Sequence, residues 1–277
     1  MQASTRTFIL LIMIPLISFC FPTKGVRADI ITLRADTWCP YNCSPSSDHP
    51  GYFIEVAKAI FEPAGHKIDY QTMPWKRVIK KVEAGNFNGA IGTNIFETPN
   101  LIYHKEELGE VRHVFYVRKN STWKYTGIES LKKVRLGVIL DYVYDAQTIN
   151  PYIESFKNNP AQVQIVSGDD ALEKNIHKIN LNRIDVILEA SAVFEYVVGK
   201  LRIPISNYSE AGAIYAPNSN NKKLIPIYIG FSPKNPKSKE YAALLDDGIK
   251  RLRSSGELNK ILARYHLKDW RPTEKQY

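Results

Sequence analysis

Cysteine is scarce in this chain, at 3 in 277 residues, and neither cysteine nor histidine recurs at the spacing of a metal site. His49, His66, His104, His113, His177 and His266 stand apart from one another, so no metal and no cofactor is expected. Long apolar runs are also lacking: after residues 8–21 none returns, which argues for an exported soluble body. A nucleophile elbow and a phosphate-cradling glycine loop are missing. So are a dense basic arm and any alternation of basic with aromatic residues, so nucleic-acid binding has little support despite a formal charge of +9.

The start of the chain has the pattern of a secretory signal. Arg6 precedes the apolar run from Phe8 to Phe21, and Val26, Arg27 and Ala28 present the residues a signal peptidase reads. Residues 1–28 are therefore read as a signal peptide cleaved before Asp29, and the exported body as periplasmic. Cys20 follows Phe19, where a lipid-anchor signal wants a small residue, so it belongs to the discarded segment. Removing Arg6, Lys24 and Arg27, with no acid lost, lowers the formal charge from +9 to +6.

Two cysteines then remain, Cys39 and Cys43, in CPYNC. In an oxidising compartment two cysteines four apart read most simply as a local disulfide pinning a loop. A redox pair is the alternative, but the spacing is not C-x-x-C.

The centre of the reading is Met73 to Asn94. Trp75, Val78, Ile79 and Val82 make one apolar helical face; Lys76, Arg77, Lys80, Lys81 and Glu83 cover the other. Gly85 ends the helix, and Gly89 to Gly92 form a small buried strand closing on Thr93 and Asn94. The device recurs about a hundred residues on. Leu172, Ile176 and Ile179 mark a helix after Asp169 and Asp170, and Ile184 to Leu188 a strand ending at Glu189. Before these, Ile30 to Ala35 reads as a strand, Gly51 to Pro63 as a helix and Ile68 to Tyr70 as a strand. At the far end, Tyr241 to Leu252 and Leu258 to Tyr265 read as two helices broken at Gly256. The order predicts α/β lobes, each with a mixed, mostly parallel sheet and helices on both faces.

The succession ITLRADTWCPYN, GYFIEVAKAIFEPAG, PWKRVIKKVEAGNFNGAIGTN, IESLKKVRLGVI, RIDVILEA and IPIYIGFSPKNP, with a helical tail, resembles the periplasmic solute-binding proteins of family 3. Their best-known members deliver polar amino acids to ABC importers. The resemblance implies a two-lobed type II periplasmic-binding-protein fold that closes over a ligand about a hinge of two crossings. It places lobe one at 29–117 plus 231–277, lobe two at 122–224, and the crossings at 118–121 and 225–230.

It further implies a cleft lined by Trp38 and Tyr41 after the first strand, Trp75 before the central helix, and Gly92, Thr93 and Asn94 at the strand end. From lobe two it implies Asp141, Tyr142 and Glu189. Aromatic faces and a half-buried carboxylate suit an amine. Each residue has a plainer reading: Trp75 as core, Trp38 and Tyr41 as cover for the disulfide, Glu189 and Asp141 as cap and turn residues. One departure stands out. Amino-acid binders of the family carry Thr-Pro-x-Arg after the ligand strand, where the Arg clamps the ligand carboxylate; here Leu101 takes that position.

The expected function is thus capture of a small polar, amine-suited ligand without chemistry, by a monomer serving an ABC importer. The alternatives are a sensor feeding a separate receptor and a cyclohexadienyl-dehydratase-like enzyme on the same fold.

Overall fold

The first sheet is built from β1 (Ile30–Ala35), β2 (Lys67–Thr72), β3 (Gly89–Thr93), β4 (Gly109–Val111) and β10 (Ile225–Phe231), in the order β2-β1-β3-β10-β4. The second holds β5 (His113–Arg118), β6 (Leu136–Ile139), β7 (Val163–Val166), β8 (Val186–Ala190) and β9 (Tyr208–Ile214), in the order β7-β6-β8-β5-β9. Both are mixed: β1 runs parallel to β2 and β3 while β10 opposes β3 and β4, and β6 runs parallel to β7 and β8 while β5 opposes β8 and β9. These elements come from a computed structural model, which describes residues 28–217 and 223–271. The expected signal peptide, 1–28, lies outside these residues but for Ala28. Among the described residues no helix is long and apolar enough to cross a membrane.

Helices cover the sheets where their apolar stripes require it. In α1 (Tyr52–Phe61), Phe53, Val56, Ala57 and Ile60 are buried. They pack with β1 and with α7 (Ser238–Ser254), whose Tyr241, Leu245, Ile249 and Leu252 face inward. Gly256, at a φ of 76°, turns the chain into α8 (Glu257–Ala263). In α2 (Trp75–Glu83) Trp75, Val78 and Val82 of the expected apolar face are buried, and Ile79 is half-buried beside them.

The two helix–turn–strand units end in the same cap. After α2, Gly85 adopts a φ of 84°; its N–H bonds to Val82 O at 3.0 Å and that of Asn86 to Lys81 O at 2.9 Å. After α5 (Ala171–Asn180), Asn182 takes the left-handed position at a φ of 56°. Its N–H reaches Ile179 O at 3.2 Å, and that of Arg183 reaches Lys178 O at 2.8 Å. This pairing satisfies the orphan carbonyls of a helix end and turns the chain toward the next strand, with Asn serving where Gly would.

The passages between sheets differ from the sequence expectation. Val111 pairs with Ile225 in the first sheet, whereas His113 pairs with Ala190 and Ile214 in the second, so the chain changes sheets at Arg112. It returns between the end of β9 and the start of β10. Residues 113–117, expected in lobe one, are ladder-bonded in the second sheet, and 225–230, expected as a crossing, lie within β10 of the first. The polar stretch Lys119–Thr122 invited the misplacement, because a run of polar residues after apolar ones reads as a linker.

Candidate functional site

The loop leaving β1 is tightly folded. Cys39 and Cys43 form a disulfide. Trp38 N–H bonds to Asn42 O at 2.7 Å, and the Asn42 side chain donates to Asp36 O at 2.6 Å. These ties place Asp36 and Trp38 at the carboxyl end of the strand, facing the second sheet, where open α/β folds put ligands. Tyr41 points the other way: it is buried, with its ring 4.5 Å from that of Trp38 and 5.3 Å from that of Phe53. It supports the Trp38 ring from the core and lines neither of the two cavities between the sheets.

Two adjoining cavities lie between the sheets. A small one, of about 50 Å³, is lined by Asp36, Trp38, Trp75, Gly92, Asn94 and Glu97 from the first sheet's loops, and by His113 and Tyr142 from the second. A larger cleft of about 580 Å³ shares Asp36, Trp38, Trp75 and Tyr142 and adds Asp141, Asp169 and Glu189. Of the residues proposed from sequence, Trp38, Trp75, Gly92, Asn94 and Tyr142 converge on the small cavity; Asp141 and Glu189 lie on the outer cleft. Thr93 does not join them: it is 0% exposed, and its hydroxyl donates to Tyr228 O at 3.3 Å on the far side of the strand. Strand alternation explains this, since neighbours on a strand face opposite ways. Trp75 is both core and wall. It is 9% exposed and packs with Val78, Val82, Ala90 and Leu101, while its ring edge reaches the cavity.

Two carboxylates, Asp36 and Glu97, line the small cavity and a third, Glu189, is bonded to Trp38 beside it; the sequence reading selected only Glu189. Tyr142 donates its hydroxyl to Asp36 Oδ2 at 2.7 Å, from the second sheet to the first. Trp75 Nε1 donates to Glu97 Oε1 at 2.6 Å, and Asn94 Nδ2 to Glu97 Oε2 at 3.3 Å. Trp38 Nε1 donates to Glu189 Oε1 at 3.2 Å, again across the sheets, and Ala190 N–H adds a second bond at 2.8 Å. Glu189 is 0% exposed and its Oε2 has no partner. None of the three carboxylates has an ion-pair partner among the described residues.

Their acidity reflects that isolation. Burial pushes the Asp36 carboxyl up to about 6, against the Tyr142 hydrogen bond. Burial raises Glu97 to about 7 against its bond from Trp75, and Glu189 to about 7 against those from Ala190 and Trp38, with Asp36's charge adding to both. His113 is pressed down to about 4 by burial, so its ring is uncharged at neutral pH. Asp36, Glu97 and His113 were legible only as polar residues beside strand ends. Leu101, at the position of the family's carboxylate-clamping Arg, is 4% exposed and packs in the core with Trp75. Among the described residues no group of metal-ligating side chains is assembled.

No curated protein matches the chain by sequence. Among solved structures, it resembles an ancestral arginine-binding protein bound to arginine, at 17% identity and a TM-score of 0.64, covering 86% of this chain and 98% of that one. It resembles a histidine kinase sensor domain with similarity to periplasmic binding proteins, at 17% identity and a TM-score of 0.66, covering 88% and 99%. It also resembles a structure reported for glutathione import through GshT and the cystine importer TcyBC of Streptococcus mutans, at 18% identity and a TM-score of 0.66, covering 87% and 98%. These likenesses establish the fold. The sequence model of the bacterial extracellular solute-binding proteins, family 3, matches residues 30–268, nearly the whole described chain, and the protein belongs to that family.

Proposed function

We propose that the protein captures a small, amine-bearing polar solute between its two sheets, in the periplasm, and delivers it unchanged to an ABC importer. The observation that carries this reading is the cavity between the sheets, walled by two tryptophans and edged by carboxylates that lack a cationic partner. Aromatic faces attract ammonium groups, and a desolvated carboxylate gains most from a cation that comes to it. The two sheets with their helices act as lobes, hinged where the chain changes sheets at Arg112. The bonds from Tyr142 to Asp36 and from Trp38 to Glu189 then belong to the closed state. The named relatives support an importer partner, and the sensor-domain likeness keeps a receptor as the second possible recipient.

A thermal-shift panel tests the reading, since a ligand that binds the native state raises the melting temperature by mass action. Amines and basic amino acids are expected to shift it and to be recovered unmodified. A response confined to acidic or aromatic acids, or conversion of the ligand to an aromatic product, would overturn it.

A further inference from the structure

The hydrogen-bonding character of the small cavity narrows the ligand further. Four side chains around it could donate, and each already donates within the site: Trp38 to Glu189, Trp75 and Asn94 to Glu97, and Tyr142 to Asp36; the Asn94 amide alone keeps a second N–H. What remains besides is acceptor capacity. Asp36 and Glu97, which line the space, keep carboxylate lone pairs beyond those their hydrogen bonds use. His113, 8% exposed, is among the lining residues, and its Nδ1 is buried with no partner among the described residues. Its uncharged ring, held by a hydrogen bond with the Tyr144 backbone, has one nitrogen free of a proton and able to accept. No lysine or arginine lines this cavity among the described residues, and Leu101 faces the core. A ligand carboxylate would find no cation here and only the second Asn94 N–H to donate to it, and would stand among like charges.

We infer that this cavity takes a dication without a carboxylate, of the linear alkyl diamine class. One ammonium sits against Glu97 and the other against Asp36, and the Trp38 and Trp75 rings flank the methylene chain. Two carboxylates ask for two cationic groups: a monoamine would leave one of them desolvated and unpaired. The outer-cleft Glu189 acts through Trp38, holding the indole over the chain. This inference rests on the binding reading above and specifies its substrate.

Titration calorimetry of the purified protein with butane-1,4-diamine, butylamine and lysine tests it. The diamine is expected to bind roughly 100-fold tighter than butylamine, the scale of one desolvated charge pair, and tighter than lysine, which adds a carboxylate. In Asp36→Asn and in Glu97→Gln, each checked for a native circular-dichroism spectrum and cooperative melting in the absence of ligand, the advantage of the diamine over butylamine should vanish. Butylamine binding as tightly as the diamine, or lysine binding more tightly, overturns the inference while leaving amine capture standing. Failure of all three to bind overturns both.

Discussion

Trp38 and Glu189 meet across the gap between the two sheets, indole Nε1 to carboxylate Oε1 at 3.2 Å, although 151 positions separate them in the chain. The bond joins the loop after β1 to the end of β8, and it places a carboxylate with one unpartnered oxygen behind the wall of the small cavity. Glu189→Ala deletes the bond but also a buried charge, so the two effects on stability oppose each other. Solute affinity should weaken roughly tenfold with little change in melting, the scale of one lost hydrogen bond. An unchanged dissociation constant in calorimetry would remove Glu189 from closure.

A pH series on Glu189→Gln separates charge from shape. Gln keeps an oxygen for Trp38 and Ala190 but cannot ionise. Because burial lifts Glu189 from 4.5 to about 7 in the fold, its neutral form is favoured there, and native stability is lost as pH rises through that range. The variant should therefore be the more stable protein at pH 8, by on the order of 1–3 kcal/mol, with the difference fading toward pH 5. His104 and His113, both held down to about 4, titrate in the opposite sense, contributing stability lost as pH falls below 6.5. For that reason the difference between variant and wild type in urea unfolding is the quantity to follow. A wild type that is the more stable of the two at pH 8 would refute the assignment.

Amine affinity should rise across the same pH window. Asp36 and Glu97 shed protons between about 6 and 7 in the empty protein, and only the ionised forms pair with ammonium. Calorimetry at pH 5.5 and pH 8 should show binding at least about tenfold weaker at the lower value. Equal affinity would mean that the carboxylates do not meet the solute.

Restoring the family's arginine at position 101 should fail. Leu101 packs against Trp75, Val78 and Ala90, and its side chain lies where any side chain on Gly230 would intrude. Leu101→Arg buries an unpaired charge there, and unfolding should become easier by about 3 kcal/mol or more without any gain in α-amino-acid binding. Tight glutamate or glutamine binding by the variant would contradict this.

The Cys39–Cys43 disulfide should matter more to recognition than to stability. It closes a very short loop that backbone hydrogen bonds already hold, so replacing both cysteines with serine should cost only about 1–2 kcal/mol. The loop carries Asp36 and Trp38, however, and solute affinity should fall more than melting does. A double variant with wild-type affinity would show that the other ties suffice.

Much of this architecture was open to reading from local pattern. The α2 stripe of Trp75, Val78 and Val82, its Gly85 stop and the short strand after it are contiguous, and periodicity finds them. The sheet change at Arg112 was not, because strand membership depends on partners such as Ile214 and Ile225 that lie a hundred residues away. The site divides in the same way. Trp38 and Asn94 could be placed because they end strands, whereas Thr93 faces away by strand alternation. Asp36 and Glu97 look like ordinary turn acids until the Tyr142 hydroxyl and the Trp75 indole are seen to reach them.

The interleaved strand order also fixes a sequence of events at birth. The second sheet draws all its strands from one continuous segment, residues 113–214, and can be completed as soon as that segment is available. The first sheet waits for β10, which bridges β3 and β4, and α1 waits for α7, whose Gly248 lies against Ile60. A chain emerging from its amino end therefore holds β1 to β4 incomplete, with the apolar face of α1 uncovered, until nearly all of it has been delivered.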